Sequence, residues 1–213
     1  MLDTQFHRPV GDIGHKDTFP FPVVYQKVKG ASISRVVEKG DATLIEPFVQ
    51  AAKELEDKGM KAITTSCGFL ALYQKEIQQQ LRVPFFSSSL LQIPLASMIA
   101  GEPIGVITAS KASLTEAHLK GVNAHCHHVI IEGMDEMPAF SGAIINEKIE
   151  LDEVAVAEEM QQVTAEFVTK HPALKAIILE CTNMPPYKDA IRKATNLPIF
   201  DMTTLVNYIQ LTL

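Results

Sequence analysis

The sequence predicts an α/β fold of two similar lobes. Each lobe is a four-stranded parallel sheet flanked by helices; a pseudo-two-fold relates the lobes, with the site between them. Three observations lead there. Apolar runs of strand length alternate with amphipathic runs of helical period, the pattern of parallel sheets covered by helices. Lys61–Phe86 is echoed without a gap by Lys175–Phe200 at an offset of 114, with Lys61/Lys175, Ala62/Ala176, Ile63/Ile177, Cys67/Cys181, Tyr73/Tyr187, Ile77/Ile191, Pro84/Pro198 and Phe86/Phe200 identical. A repeat of this length is a half-domain rather than a solenoid unit. Finally, small polar residues gather at the predicted carboxyl ends of strands, where such sheets bind ligands.

Met1-Leu2 reads as the tail of an oddly short strand running into Asp3; either the fold tolerates that or the natural chain begins earlier. Residues 5–22, with three prolines and two glycines, form a long loop, either a lid over the site or a surface excursion. Ala31–Val37 is expected as a strand. Asp41 caps a helix whose apolar stripe is Leu44, Ile45, Phe48, Val49, Ala52 and Leu55. The first repeat strand, Ala62–Thr65, leads through Cys67 to a helix over Phe69–Leu81. Val83–Phe86 is the next strand, with Pro84 near its start. Leu90–Ala100 is a short helix.

Ile104–Thr108 opens the second half as a buried strand, followed by a helix from Ala109 to Lys120 and the strand Val129–Ile131. Leu151–Lys170 is the longest helix. Ala176–Leu179 is the second repeat strand, Pro185–Ala194 its helix, Ile199-Phe200 the last strand and Met202–Leu213 a closing helix. These elements divide into a first lobe of residues 1–88 plus 202–213 and a second of 89–201.

A net charge of −6 offers no basic face to nucleic acid. Three cysteines do not make a disulfide framework. No apolar run reaches membrane-spanning length, and Met1–Arg8 has no signal-peptide core, so a cytoplasmic protein without membrane partners is expected. Adjacent strand residues point to opposite faces, so His125, Cys126, His127 and His128 do not read as one metal site.

Cys67 and Cys181 each fall where a strand gives way to a helix. A helix N-terminus lowers a thiol pKa from about 8.5. Two such thiols facing one carbon suit inversion of a centre: a thiolate removes the proton on one face and a thiol returns one on the other. Backbone N–H groups after each cysteine, Gly68 included, and the side chains of Thr65, Ser66, Ser87, Thr108, Thr182 and Asn183 are candidates to bind a small-molecule carboxylate substrate. Ser110 is a weaker one. No metal or other cofactor is needed for this chemistry.

The paired strand–cysteine–helix units resemble the aspartate/glutamate racemase superfamily over nearly the whole chain. That resemblance implies a cofactor-independent racemase or epimerase of an amino acid or related carboxylate, with Cys67 and Cys181 catalytic, Thr182 and Asp3 at the substrate, and a homodimeric assembly. Two neighbourhoods depart from the family pattern. Gly68-Phe69 stands where amino-acid racemases carry Asn-Thr, and Asn183 where they carry histidine or glutamate. The departures leave open a decarboxylase or cis–trans isomerase of a small diacid on the same fold, and a non-catalytic small-molecule binder.

Overall fold

Two parallel sheets organise the chain in the computed structural model, which describes residues 1–213. The smaller pairs β1 (Ile63–Thr64) with β2 (Phe85–Phe86). The larger holds β3 (Ile104–Thr108), β4 (Val129–Gly133), β5 (Ala176–Leu179) and β6 (Ile199–Phe200) in the order β4-β3-β5-β6. Every residue of β3 and β5 is buried, which their unbroken apolar runs require of central strands. Around the sheets lie α1 (Ile45–Asp57), α2 (Gln74–Gln78), α3 (Ile93–Ala100), α4 (Glu116–Gly121), α5 (Pro138–Phe140), α6 (Glu153–Lys170), α7 (Lys188–Ala194) and α8 (Met202–Gln210). Their starts follow local chemistry: Asp152 accepts the Val154 and Ala155 N–H groups ahead of α6, and Asp201 accepts that of Thr204 inside α8. No helix is long and apolar enough to cross a membrane.

The repeat read in the sequence extends to hydrogen-bond register. Ile63 pairs with Phe85 and Thr64 with Phe86; at the same offset Ile177 pairs with Ile199 and Ile178 with Phe200. The Ile63 N–H donates to Pro84 O and the Ile177 N–H to Pro198 O, both at 2.9 Å. After each cysteine the chain turns alike, Leu70 N–H onto Cys67 O and Met184 N–H onto Cys181 O, both at 3.2 Å. Even the helix starts coincide, α2 at Gln74 and α7 at Lys188.

Three expectations need correction. The smaller sheet has two strands, not four, because Met1-Leu2 and Ala31–Val37 do not join it. Instead Ser34–Glu38 forms a π-helical turn. Val36 and Val37 are both buried, which successive positions of a one-sided strand cannot be. Arg35 ties the turn by reaching Gly30 O, Asp41 and Thr43. The helix expected from Ala109 is confined to α4, since the Ser110 hydroxyl and Asp135 hold residues 110–113 in a turn. Finally, the first repeat helix is a 3-10 segment, Gly68–Tyr73, followed by the brief α2.

Candidate active site

Cys67 and Cys181 line one small cavity of about 30 Å³, room for a single water, and both are more than nine-tenths buried. Its wall is largely apolar, with Leu2, Phe6, Ile33, Phe69 and Ile144 among the lining side chains. Its polar lining residues include Thr4, Arg8, Ser66, Glu180 and Asn183. Cys181 Sγ lies 3.4 Å from Asn183 Oδ1, and Asn183 Nδ2 donates to Asp12 Oδ2 at 2.5 Å. Asp12 in turn accepts Arg8 Nη1 at 3.0 Å, while Arg8 Nη2 donates to Thr4. The long loop at residues 5–22 therefore covers the cavity and reaches Cys181 through a chain of polar contacts.

Glu180 is fully buried immediately before Cys181. Its Oε2 accepts the Thr108 hydroxyl at 2.7 Å, and its Oε1 has no partner. The carboxyl lies against Gly68, where an added Cβ would overlap both Glu180 Oε1 and Glu180 O. The departure at position 68 thus has a steric cause. The carboxyl of residue 180 fills the space a side chain after Cys67 would take.

Burial pushes Glu180 up from 4.5 to about 7, against the downward pull of the Thr108 hydroxyl and the Ala109 N–H. Burial, then the Glu180 charge, pushes the Cys67 thiol up to about 12. The same two causes hold Cys181 well above the usual thiol range. This reverses the expectation that helix termini depress both thiols. Short 3-10 turns follow the cysteines, and the Phe69 and Asn183 N–H groups oppose burial without matching it.

The other expected residues divide. Gly68 and Asn183 line the cavity. Ser66 borders it and also a separate apolar cavity of about 310 Å³, and its Oγ accepts the Leu2 N–H. Thr182 donates to Ser66 O at 2.8 Å, linking the two cysteine turns. Thr108 acts through Glu180. Thr65 donates to Ser87 O at 2.7 Å and faces the larger cavity. Ser87 is buried with its hydroxyl unpartnered, outside the lining. Ser110 bonds Asp135, and Asp3 turns to the Gly30 N–H and Lys27. Neither lines the cavity. Sequence reasoning passed over Arg8, Asp12 and Glu180. Glu180 could have been found as a charge abutting an apolar strand and a cysteine; nothing local marks Arg8 or Asp12.

A family model described as Asp/Glu/Hydantoin racemase matches residues 15–206. The chain belongs to the Asp/Glu/hydantoin racemase family. Among solved structures it is similar to an aspartate racemase homologue from Pyrococcus horikoshii OT3 (TM-score 0.54, 16% identity, 79% of this chain and 74% of that one). It is also similar to glutamate racemase from Aquifex pyrophilus (TM-score 0.54, 20% identity, 79% and 65%). At such identities the likeness speaks to the α/β fold alone. In sequence, this family member is 31% identical over 217 residues to dimethylsulfoniopropionate lyase 7 of Emiliania huxleyi (strain CCMP1516), covering 97% of this chain and 63% of that protein. Dimethylsulfoniopropionate lyase 3 of the same strain is 30% identical over 219 residues, covering 97% and 56%. A dimethylsulfoniopropionate lyase from Durusdinium sp. clade D is 31% identical over 212 residues, covering 94% and 69%. The chain spans less than two thirds of the length of the two Emiliania relatives.

Proposed function

We propose that this cavity removes a proton from the carbon next to a carboxylate, and does so to eliminate a β-sulfonium group, as a carbon–sulfur lyase. The observation that carries the reading is the convergence of two thiols and a carboxyl with one unpartnered oxygen on one apolar-walled cavity. With dimethylsulfoniopropionate, a thiolate takes the proton at the α-carbon and the C–H pair forms the new double bond. The β-carbon–sulfur bond breaks with its electrons going to sulfur. Acrylate and neutral dimethyl sulfide leave, and the enzyme's thiol later returns its proton to solvent. No acid is needed at the leaving group, because a sulfonium departs uncharged.

The raised thiol pKa values fit a zwitterionic substrate. Burial and the Glu180 charge keep both thiols protonated at neutral pH. A cation brought into a low-dielectric cavity favours their ionised forms. Apolar walls also suit a methylated sulfonium, which has no N–H to satisfy, better than an ammonium with three. Arg8 is the cation available to a substrate carboxylate. Two of its nitrogens already hold Asp12 and Thr4, which fixes the guanidinium in place. The division into residues 1–88 plus 202–213 and 89–201, facing each other across the cavity, belongs to the same reading.

A second reading, racemisation, is favoured by one observation: the cysteines occupy equivalent turns at the repeat offset. The two differ in what they require. Elimination needs one base; inversion needs both sulfurs. Purified protein supplied with dimethylsulfoniopropionate should release dimethyl sulfide, measured by headspace gas chromatography, and acrylate, measured by proton NMR. One of Cys67→Ser and Cys181→Ser should retain part of this activity and the double variant none. No sulfide release, together with deuterium uptake at the α-carbon of an amino acid in heavy water that either single variant abolishes, would establish the racemase instead.

A further inference from the structure

Glu180 is the one group in the cavity whose chemistry neither the fold nor the thiol pair explains. It is fully buried, and Thr108 satisfies one of its oxygens while the other has no partner. A buried carboxylate oxygen without a partner is costly, so a structure that keeps one has a use for it. The arrangement is also built from both sides, since Gly68 leaves the space and Thr108 fixes the rotamer.

We infer that Glu180 is the anion that holds the cationic group of the substrate, so that the site selects onium carboxylates over diacids and uncharged analogues. The inference rests on the proton-abstraction reading of the cavity and names its substrate class. Charge balance favours it. The ionisable groups lining the cavity are Arg8, Cys67, Cys181 and Glu180. Asp12, behind Asn183, shares the Arg8 charge, which leaves the guanidinium able to balance one substrate carboxylate at most. A second substrate carboxylate would meet Glu180 and two sulfurs, one of which must become negative. An onium group meets the same set with opposite sign. Its attraction is strengthened by the burial of these groups, and like charges are rejected as strongly. Burial that raises the Glu180 pKa to about 7 in the empty site is the cost the cation relieves on arrival.

The test separates charge from shape. Two probes that lack the sulfonium leaving group are titrated calorimetrically into the full chain at about pH 8, above the raised Glu180 value. One is trimethylammonio-propanoate; the other is its carbon isostere, with a tert-butyl group in place of the ammonium. The wild-type protein should bind the cation at least about tenfold more tightly, and Glu180→Gln should abolish the difference. Equal affinity of the wild type for the two probes, failure of the cation to bind, or a preference that survives in Glu180→Gln would overturn the inference. Should that variant not fold, Glu180→Asp takes its place, and equal affinity of the wild type for the two probes still overturns the inference. The result is independent of turnover: a protein that discriminates the probes yet releases no dimethyl sulfide refutes the lyase reading and leaves this one standing.

Discussion

Position 68 carries no side chain because position 180 fills the space. A methyl at Gly68 would overlap the carboxyl and the carbonyl of Glu180, and the carbonyl, as backbone, cannot step aside. Gly68→Ala should therefore destabilise the fold by about 1–3 kcal/mol, as overpacking of a closed interior does. It should also lower activity, because Glu180 and Cys67 move apart. Urea denaturation and the sulfide-release assay read the two effects. Glu180 makes a second prediction through its proton. Its folded pKa is raised from 4.5 to about 7. Below the unfolded value both states hold the proton. As pH rises toward the folded value only the unfolded chain gives it up, so stability falls across that window and the contribution is gone above it. The facing groups are the Thr108 hydroxyl, the Ala109 N–H and the two thiols, whose own ionisation lies higher. The loss should be roughly 3 kcal/mol between about pH 5 and pH 8. Glu180→Gln should remove this slope and exceed the wild type in stability at the upper end, by urea melts at both pH values. An unchanged slope in the variant would show that Glu180 is not the titrating group.

At the scale of elements, the loop at residues 5–22 turns the fold into a site. Asp12 is 1% exposed and joins Arg8, Asn183 and the Gly14 N–H. Removing its carboxylate would leave a nearly buried guanidinium and an amide unpaired, at a cost of about 3–5 kcal/mol. Asp12→Ala should thus detach the loop before it unfolds the core. Iodoacetamide should then alkylate Cys181 faster, by mass spectrometry, while the melting of the sheets changes less. Much of this level was legible in the sequence. The two strand–cysteine turns, α6, α7 and the ranges of β5 and β6 all follow from apolar periodicity and the repeat. What escaped was long-range. The π-helical turn at Ser34–Glu38 depends on Arg35 finding Gly30 O and Asp41. Arg8 and Asp12 gain meaning only through Asn183, 171 positions away in the case of Asp12. Both thiols line one cavity, but they are not depressed as their flanking residues suggest, because burial is a property of the packed chain and not of the residues flanking a cysteine.

For the molecule as a whole, the cavity is partly open but narrow, and a space of about 30 Å³ is too small for a substrate with its own carboxylate and onium group. The cover has two parts. One is the loop carrying Thr4, Phe6 and Arg8; the other is the π-helical turn Ser141–Ile145, which contributes Ile144 and Ile145 to the lining. They meet at an exposed contact, where the Gln5 N–H donates to Glu147 Oε1 at 2.8 Å, and His7 lies 3.5 Å from Glu153. Such contacts contribute little to stability, about 1 kcal/mol or less, which suits a cover that would have to open to admit the proposed substrate. The buried Arg8–Asp12–Asn183 chain beneath them is the stronger tie. Opening should therefore begin at Gln5 and Glu147, with the Asp12 contacts as its hinge side. Gln5→Pro removes the N–H donor without touching the lining. It should raise the alkylation rate of Cys67 and Cys181 severalfold and leave the urea midpoint within about 1 kcal/mol of the wild type in stability. Saturating trimethylammonio-propanoate should restore protection in both proteins, because the onium group draws the cover down over Glu180. Unchanged alkylation in Gln5→Pro would move the gate away from this seam, to the turn that follows α5.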